Sequence, residues 1–521
     1  MEINKNLEAI IVTLLYLTTI YFWALPIQKN PMPYGEVDAA SHYAIADYTY
    51  RSDRSITTLP YYIDKRYGRD NKFKEHTLWY PPPFHTALAI AAVFGGESGF
   101  SIFLANAILS SLIVLGVYFI MRKFFGFEAA LLSGFLLIFS IRDIMVYLWG
   151  QWPERMGFAY LPLILYCFYK YCNSYLSKEE KPIYLYVMSL LLAINFLIHP
   201  MDFFHSVAAL IILSTFLLIK EKGTFFSLKN LIFAVILFLF VISLFPLQSM
   251  NVVIRLQTDK ETMGSEGDIS RLFYWFKPQE GNQGVPQSYF SYKAMIGPYW
   301  TIPLIFLGIL FLLLRRNKKD LVILAWLVSL YIMIHLDVIG KGRVHRSLSG
   351  TAHIFYPLMV LGLLYLVSLT PKIKEYKYAI KYGLIITFVV LTFMSVGIEA
   401  NKSLKGAYQG ISRLNPPQYE LVSWIRQSNI PADSNIFHMG SISQQKSRWM
   451  WMMSQRYVMQ GEEGKRVNIT NYIIMDYSDF AFVGSKDMIN QLQEWERQNL
   501  ANNTLIYNKE YIRVYKFENR I

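Results

Sequence analysis

Two carboxylates, Glu36 and Asp38, stand just beyond the first long apolar run, within Pro31-Met-Pro-Tyr-Gly-Glu-Val-Asp-Ala-Ala-Ser-His42. Acids at the end of a membrane helix add nothing to anchoring. An enzyme that must take a proton from an acceptor hydroxyl has a use for one there. If Gly35 turns the chain into a helix, Asp38 and His42 lie four residues apart and share a face. The plainer reading is that one of the acids caps a surface helix, a contribution of about 1 kcal/mol.

Three further stretches carry residue types suited to chemistry. Ser140-Ile-Arg-Asp143 and Trp149-Gly-Gln-Trp-Pro-Glu154 join two apolar runs, and His199-Pro-Met-Asp202-Phe-Phe-His205 joins another pair. His199, Asp202 and His205 are of metal-ligating type. Their spacing matches no strong metal motif, and Pro200 favours a simple helix-breaking turn. Gly340-Lys-Gly-Arg-Val-His-Arg346 is short and basic. Arg343, His345 and Arg346 suit an anionic group such as a lipid phosphate; the alternative is snorkelling toward headgroups.

The elements that must position these residues are membrane helices. Of 521 residues, 54% are hydrophobic and 16% aromatic, and the apolar ones come in long blocks. This composition implies a polytopic α-helical membrane protein. The formal charge of +13 sits largely in short loops between apolar runs, as topology determinants do, and so does not point to nucleic acid. Cys167 and Cys172, the only cysteines, fall in one expected helix and read as core thiols without a disulfide framework. The first run, from about residue 7 to 26, lacks a small-residue cleavage site and reads as a retained anchor.

Spans are expected there and at about 101–121, 127–141, 155–173, 182–198, 202–220, 229–247, 298–314, 321–338, 350–369 and 379–398, eleven in all. The run 84–94 is too short to span and reads as an interfacial or re-entrant helix. With the N-terminus cytoplasmic, every loop assigned inside is basic. The same assignment places the 27–83 and 248–297 loops, the turns above and the C-terminal part outside. The 340–346 loop alone is basic on the wrong side, which favours a binding role for it.

Beyond about residue 400 the apolar blocks stop. A helix is expected at 416–426, strands at 435–439, 472–475, 479–484, 504–507 and 511–517, and a helix at 488–499. Residues 1–400 thus form the membrane domain and 401–521 a small extracytoplasmic α/β domain. The chain contains no P-loop and no GxGxxG fingerprint.

With these residues in hand, the chain resembles the GT-C superfamily of membrane glycosyltransferases. The likeness rests on Glu36-Val-Asp38 followed by His42, on Tyr80-Pro-Pro-Pro-Phe-His85 opening a short glycine-capped helix, and on the Trp149-Gly-Gln-Trp-Pro and His199-Pro turns. It also rests on the basic loop before a late span and on the appended domain. Oligosaccharyltransferases of that superfamily carry Trp-Trp-Asp-Tyr-Gly. The nearest stretch here is Arg448-Trp-Met-Trp-Met452, without Asp or Gly. The resemblance therefore implies an archaeal-type enzyme other than a typical oligosaccharyltransferase. Its expected activity is hexosyl or pentosyl transfer, with inversion, from a polyprenyl-phosphate donor to a hydroxyl of a glycan, lipid or protein at the outer face of the cell membrane.

In that scheme Asp38 is the general base, and Glu36 orients the acceptor or holds a divalent cation. His42, Trp149 and Glu154 orient base and acceptor, while Arg343, His345 and Arg346 bind the donor phosphate. No cofactor is certain; Mg or Mn would have Glu36, Asp38, His199 and Asp202 as weak candidate ligands. The rival reading is a transporter or flippase of a lipid-linked or polar solute, which predicts ionisable residues paired between helices in mid-span.

Overall fold

The computed structural model describes residues 3–28, 32–36, 38–51, 58–60, 75–77, 82–250, 297–335, 348–369, 377–407, 413–432, 434–440, 443–459 and 471–517. Each apolar run expected to span folds as helix over its described residues. In a bilayer only a helix or a closed barrel satisfies every backbone polar group internally. Among the described residues, five helices are long and apolar enough to cross on their own: Lys5–Trp23, Gly99–Phe125, Pro200–Glu221, Leu348–Leu369 and Tyr378–Lys405. Phe127–Ile138 and Ile141–Leu148, bent by 46°, add a sixth if they count as one span. Length and composition thus support a multi-pass protein with five or six spans. The count of eleven depends on helices that are shorter or less apolar, such as Ile183–Ile198, Leu228–Ile242 and Trp152–Leu176. The short apolar run folds as Pro83–Gly95 and ends at Gly96, whose φ of +72° suits glycine. At 1.5 Å per residue it is about 20 Å long, less than a hydrocarbon core.

The bundle is tightened by small residues. A Cβ on Gly308 would lie 2.0 Å from the Leu358 carbonyl oxygen, and one on Gly362 would lie 1.8 Å from that of Leu304. The helices Ile302–Arg315 and Thr351–Leu369 therefore touch backbone to backbone, as membrane helices do where side chains are absent. At helix ends away from the acidic turn, Arg122 pairs with Glu8, Lys318 with Glu221 and Lys381 with Glu128.

The C-terminal part is a five-stranded sheet with flanking helices. We label the strands βA Asn435–Met439, βB Tyr457–Met459, βC Tyr472–Asp476, βD Thr504–Lys509 and βE Ile512–Lys516. Their order across the sheet is βB-βA-βC-βE-βD. βA is parallel to βB and βC, while βE is antiparallel to βC and βD. The helix Pro416–Gln427 opens with a reciprocal Asn415–Gln418 capping box. Residues 479–484, expected as a strand, instead form the helical turn Ser478–Phe482. Asp476 ends βC by accepting the Ser478 N–H at 2.9 Å, an Asx turn, and Gly484 closes the helix at φ +71°. The helix Gln444–Ser454, not expected from the sequence, connects βA to βB.

Candidate active site

The acidic turn is fastened along its backbone. The Glu36 N–H donates to the Leu148 carbonyl at 2.9 Å, and the Asp38 N–H donates to that of Trp149 at 3.3 Å. The Asp38 carbonyl accepts the His42 N–H at 2.9 Å, so Asp38 stands at the mouth of the helix Ala39–Arg51. Gly150 is required here: at φ +87°, a Cβ on it would fall 2.0 Å from the Ala39 nitrogen. The turn Leu148–Gly150 and the acidic turn are thus one assembly. Glu36 and Asp38 are half-buried within it.

His42 lies on the first turn of that helix, as expected. Its Nδ1 is 2.9 Å from Nε2 of His85, the third residue of Pro83–Gly95, and both rings are buried. One nitrogen of that contact donates and the other accepts, so the accepting ring, when neutral, carries its own proton on its other nitrogen. Farther along the same helix, Asp47 bonds Arg51 at 2.7 Å and Arg426 at 2.7 Å. Burial pushes the Asp47 carboxyl up, but Arg426, Ser98 and Arg51 outweigh it and hold the group below the usual range.

Behind the Trp149 turn lies a buried charge cluster that sequence reasoning did not assemble. Asp143 Oδ1 accepts from Arg155 and lies 2.8 Å from His353 Nε2. The Arg155 guanidinium also reaches the Ser110 carbonyl at 3.3 Å and stacks 4.6 Å from the Trp23 ring. Arg142 covers the Trp149 ring at 5.2 Å and is attracted to Glu154. His199 and Asp202 lie 3.2 Å apart, and Phe158 packs between His205 and His353. Asp143, Glu154 and Asp202 each sit in the first turn of a helix, where the N-terminal dipole favours negative charge.

Four atoms of this cluster have no hydrogen-bond partner among the described residues: Asp143 Oδ2, Arg155 Nε, His353 Nδ1 and His205 Nε2. Each such atom costs about 1–3 kcal/mol when buried. The sequence singled out Asp143, Glu154, His199, Asp202 and His205 by type, but the member it missed was His353, an ionisable side chain at the head of an apolar run.

Of the expected site residues, the structure gathers Glu36, Asp38, His42, Trp149 and Glu154 around two neighbouring turns. His199 and Asp202 belong to the adjoining cluster. Arg343, His345 and Arg346 lie outside the described residues, as do residues 251–296. Among the described residues no three His, Cys, Asp or Glu side chains converge as a metal's donor set. The expected Mg or Mn therefore has no all-protein donor set among the described residues.

Residues 7–353 match the model of a family of unknown function, DUF6541. No curated protein matches the sequence. Among solved structures, the apo oligosaccharyltransferase of Archaeoglobus fulgidus superposes with a TM-score of 0.60 at 13% identity, covering 91% of this chain and 70% of that one. Apo ArnT of Cupriavidus metallidurans superposes with a TM-score of 0.58 at 11% identity, covering 97% of both chains. ArnT has also been solved bound to undecaprenyl phosphate, at a TM-score of 0.58 and 10% identity over 97% of both chains. The Archaeoglobus enzyme has been solved with an inhibitory peptide and a dolichol-phosphate, and separately with Zn and sulfate. At these identities the likeness shows the fold alone, one shared with the Archaeoglobus oligosaccharyltransferase and with ArnT.

Proposed function

This chain belongs to the DUF6541 family, and we propose that it is a membrane glycosyltransferase moving a single hexose or pentose from a polyprenyl-phosphate donor to an acceptor hydroxyl. The observation that carries this reading is the backbone-locked Asp38 at the mouth of Ala39–Arg51, in a fold whose solved members bind undecaprenyl phosphate and dolichol-phosphate. Asp38 takes the proton of the acceptor hydroxyl. The hydroxyl oxygen bonds the anomeric carbon from the face opposite the phosphate, whose oxygen leaves with the bonding electrons, so the configuration inverts. A positioned base contributes about 10²–10⁴-fold. Glu36, with Trp149 and Glu154 behind it, orients the acceptor. Arg343, His345 and Arg346 stabilise charge on the leaving lipid phosphate. The N-terminus is cytoplasmic, and residues 401–521 form an extracytoplasmic domain.

One observation favours the transporter reading: Asp143, Arg155 and His353 are charged or ionisable and paired between helices. They occupy the first turns of Ile141–Leu148, Trp152–Leu176 and Thr351–Leu369, however, and not mid-span positions. A pathway through the membrane needs such groups at depth; a site at one face does not.

The test is mass spectrometry of glycans and lipid-linked sugars in the native host, wild type against Asp38→Asn at equal membrane levels. Loss of one sugar with build-up of its lipid-phosphate donor is expected. Unchanged glycans would remove Asp38 as the base and put the transporter reading ahead.

A further inference from the structure

The helix Gln444–Ser454 belongs to the C-terminal sheet unit, yet it touches the acidic turn. The Trp449 indole N–H donates to the Gly35 carbonyl at 2.8 Å. Arg448 donates to the Ser41 hydroxyl at 2.7 Å. Trp449 is 1% exposed, and its ring lies edge-on to Tyr43 at 5.7 Å and against Phe103 at 6.0 Å. Gly35 has φ +113°, and a Cβ there would lie 2.7 Å from that of Ala39, so the chain can turn here only with glycine.

The Gly35 carbonyl and the Glu36 N–H belong to one planar peptide unit. Its oxygen is held by Trp449 of the C-terminal unit, and its N–H is held by Leu148 of the helical bundle. A peptide plane pinned at both ends cannot rotate about its flanking dihedrals. The Cα of Glu36, and the start of the path to Asp38, are fixed with it.

We infer that Trp449 is a positioning residue for the Glu36–Asp38 turn, and that through it the C-terminal unit is a working part of the site. The inference rests on the reading of Asp38 as the base. A displacement of about 1 Å at a reacting group lowers rates by as much as 10²-fold, so one indole N–H at the turn has a large lever.

The experiment compares Trp449→Phe with Trp451→Phe in the full-length protein in nanodiscs. Trp451 lies on the same helix, packs on Tyr457 at 4.8 Å, and its indole nitrogen has no partner among the described residues. Both substitutions keep an aromatic ring and delete one N–H. Hydrogen exchange of the peptide covering 33–43 is expected to quicken about tenfold in Trp449→Phe, the scale of one lost hydrogen bond, and to stay at the wild-type rate in Trp451→Phe. Turnover of the transfer reaction should fall about tenfold in Trp449→Phe alone, with KM for the donor unchanged. Wild-type exchange in Trp449→Phe, or quickened exchange with undiminished turnover, would overturn the inference. An active Asp38→Asn beside quickened exchange in Trp449→Phe would instead sink the assignment of the base and leave the pinned peptide standing.

Discussion

Two of the polar networks buried among the described residues are built differently. In the C-terminal unit, His438 Nδ1 is 2.7 Å from Ser447 Oγ, and its Nε2 is 3.0 Å from Asp476 Oδ2. Asp476 also accepts from Ser478 and from Gln418, the latter at 2.7 Å, while Lys446 pairs with Asp479. The side-chain polar atoms of His438, Ser447 and Asp476 all find partners. The network joins βA, βC and two helices into one piece. In the bundle, Asp143, Arg155, His353 and His205 are just as buried, yet each keeps one unmatched atom. Networks satisfied throughout rigidify a core, whereas half-satisfied ones are costly and persist where something else is gained. The contrast is between a C-terminal network whose partners close on one another and a bundle cluster that, among the described residues, leaves polar atoms unmatched.

The largest way to break this contrast is to remove a charge from the bundle. Arg155→Ala leaves Asp143 without its cation in an apolar surround, and loss of one partner of a buried pair costs about 3–5 kcal/mol. A thermal melt of the purified protein should show the corresponding fall in Tm. Wild-type stability would mean that Asp143 has water or another cation at hand.

A smaller effect is expected from Asp476→Asn, about 1.5–3 kcal/mol for a hydrogen bond to a charged group, and its pH dependence is the sharper test. Burial pushes the Asp476 carboxyl up, but the His438 ring, Ser478 and Gln418 outweigh it, so the group titrates below the usual 3.8 in the folded state. A carboxylate lowered on folding stabilises fully above its unfolded value and loses that contribution as pH falls through the folded one. Melts from pH 7 downward should therefore show wild type and variant separated at neutral pH and converging below about pH 4. A constant gap at every pH would mean that charge plays no part in the scaffold.

Little of either network was legible in the sequence; the apolar helices and the strands βA and βC were, but the helix Gln444–Ser454 was not expected and Ser478–Phe482 was expected as strand. Apolar runs announce helices because a bilayer leaves the backbone few alternatives. Glu36 and Asp38 stood out by their type and position, and the Trp149 turn by its composition. Asp143 and His353, by contrast, are 210 residues apart. No local pattern connects an acid in a short turn with a histidine at the head of an apolar run. Trp449 drew notice only in a stretch that fails to match an oligosaccharyltransferase signature, and its partner Gly35 is 414 residues away. The expected strand at 479–484 failed for a local reason, because the side chain of Asp476 had already bonded the next turn. Residue types mark candidates, but packing across the chain decides which candidates meet.

The smallest expected effect concerns the seam between the two regions. Arg426 on Pro416–Gln427 reaches Asp47 at 2.7 Å, with the arginine side chain 22% exposed and the aspartate 2%. Arg51 shares the same carboxylate from the next helical turn. In Arg426→Ala, Asp47 keeps Arg51, so it is never left as a lone buried charge, and a pair open to solvent on one side is worth about 1 kcal/mol or less. Global Tm should hardly move. The local consequence differs, because Arg426, with a longer contact from Gln455 to Asp47 at 3.5 Å, ties the C-terminal unit to the far end of Ala39–Arg51, while Trp449 ties the near end. Exchange of residues 44–51 should quicken in Arg426→Ala while that of 35–42 stays protected. Equal loosening of both ends would mean that the seam opens as a unit, and the clasp at Gly35 would then depend on the docking of the whole C-terminal sheet.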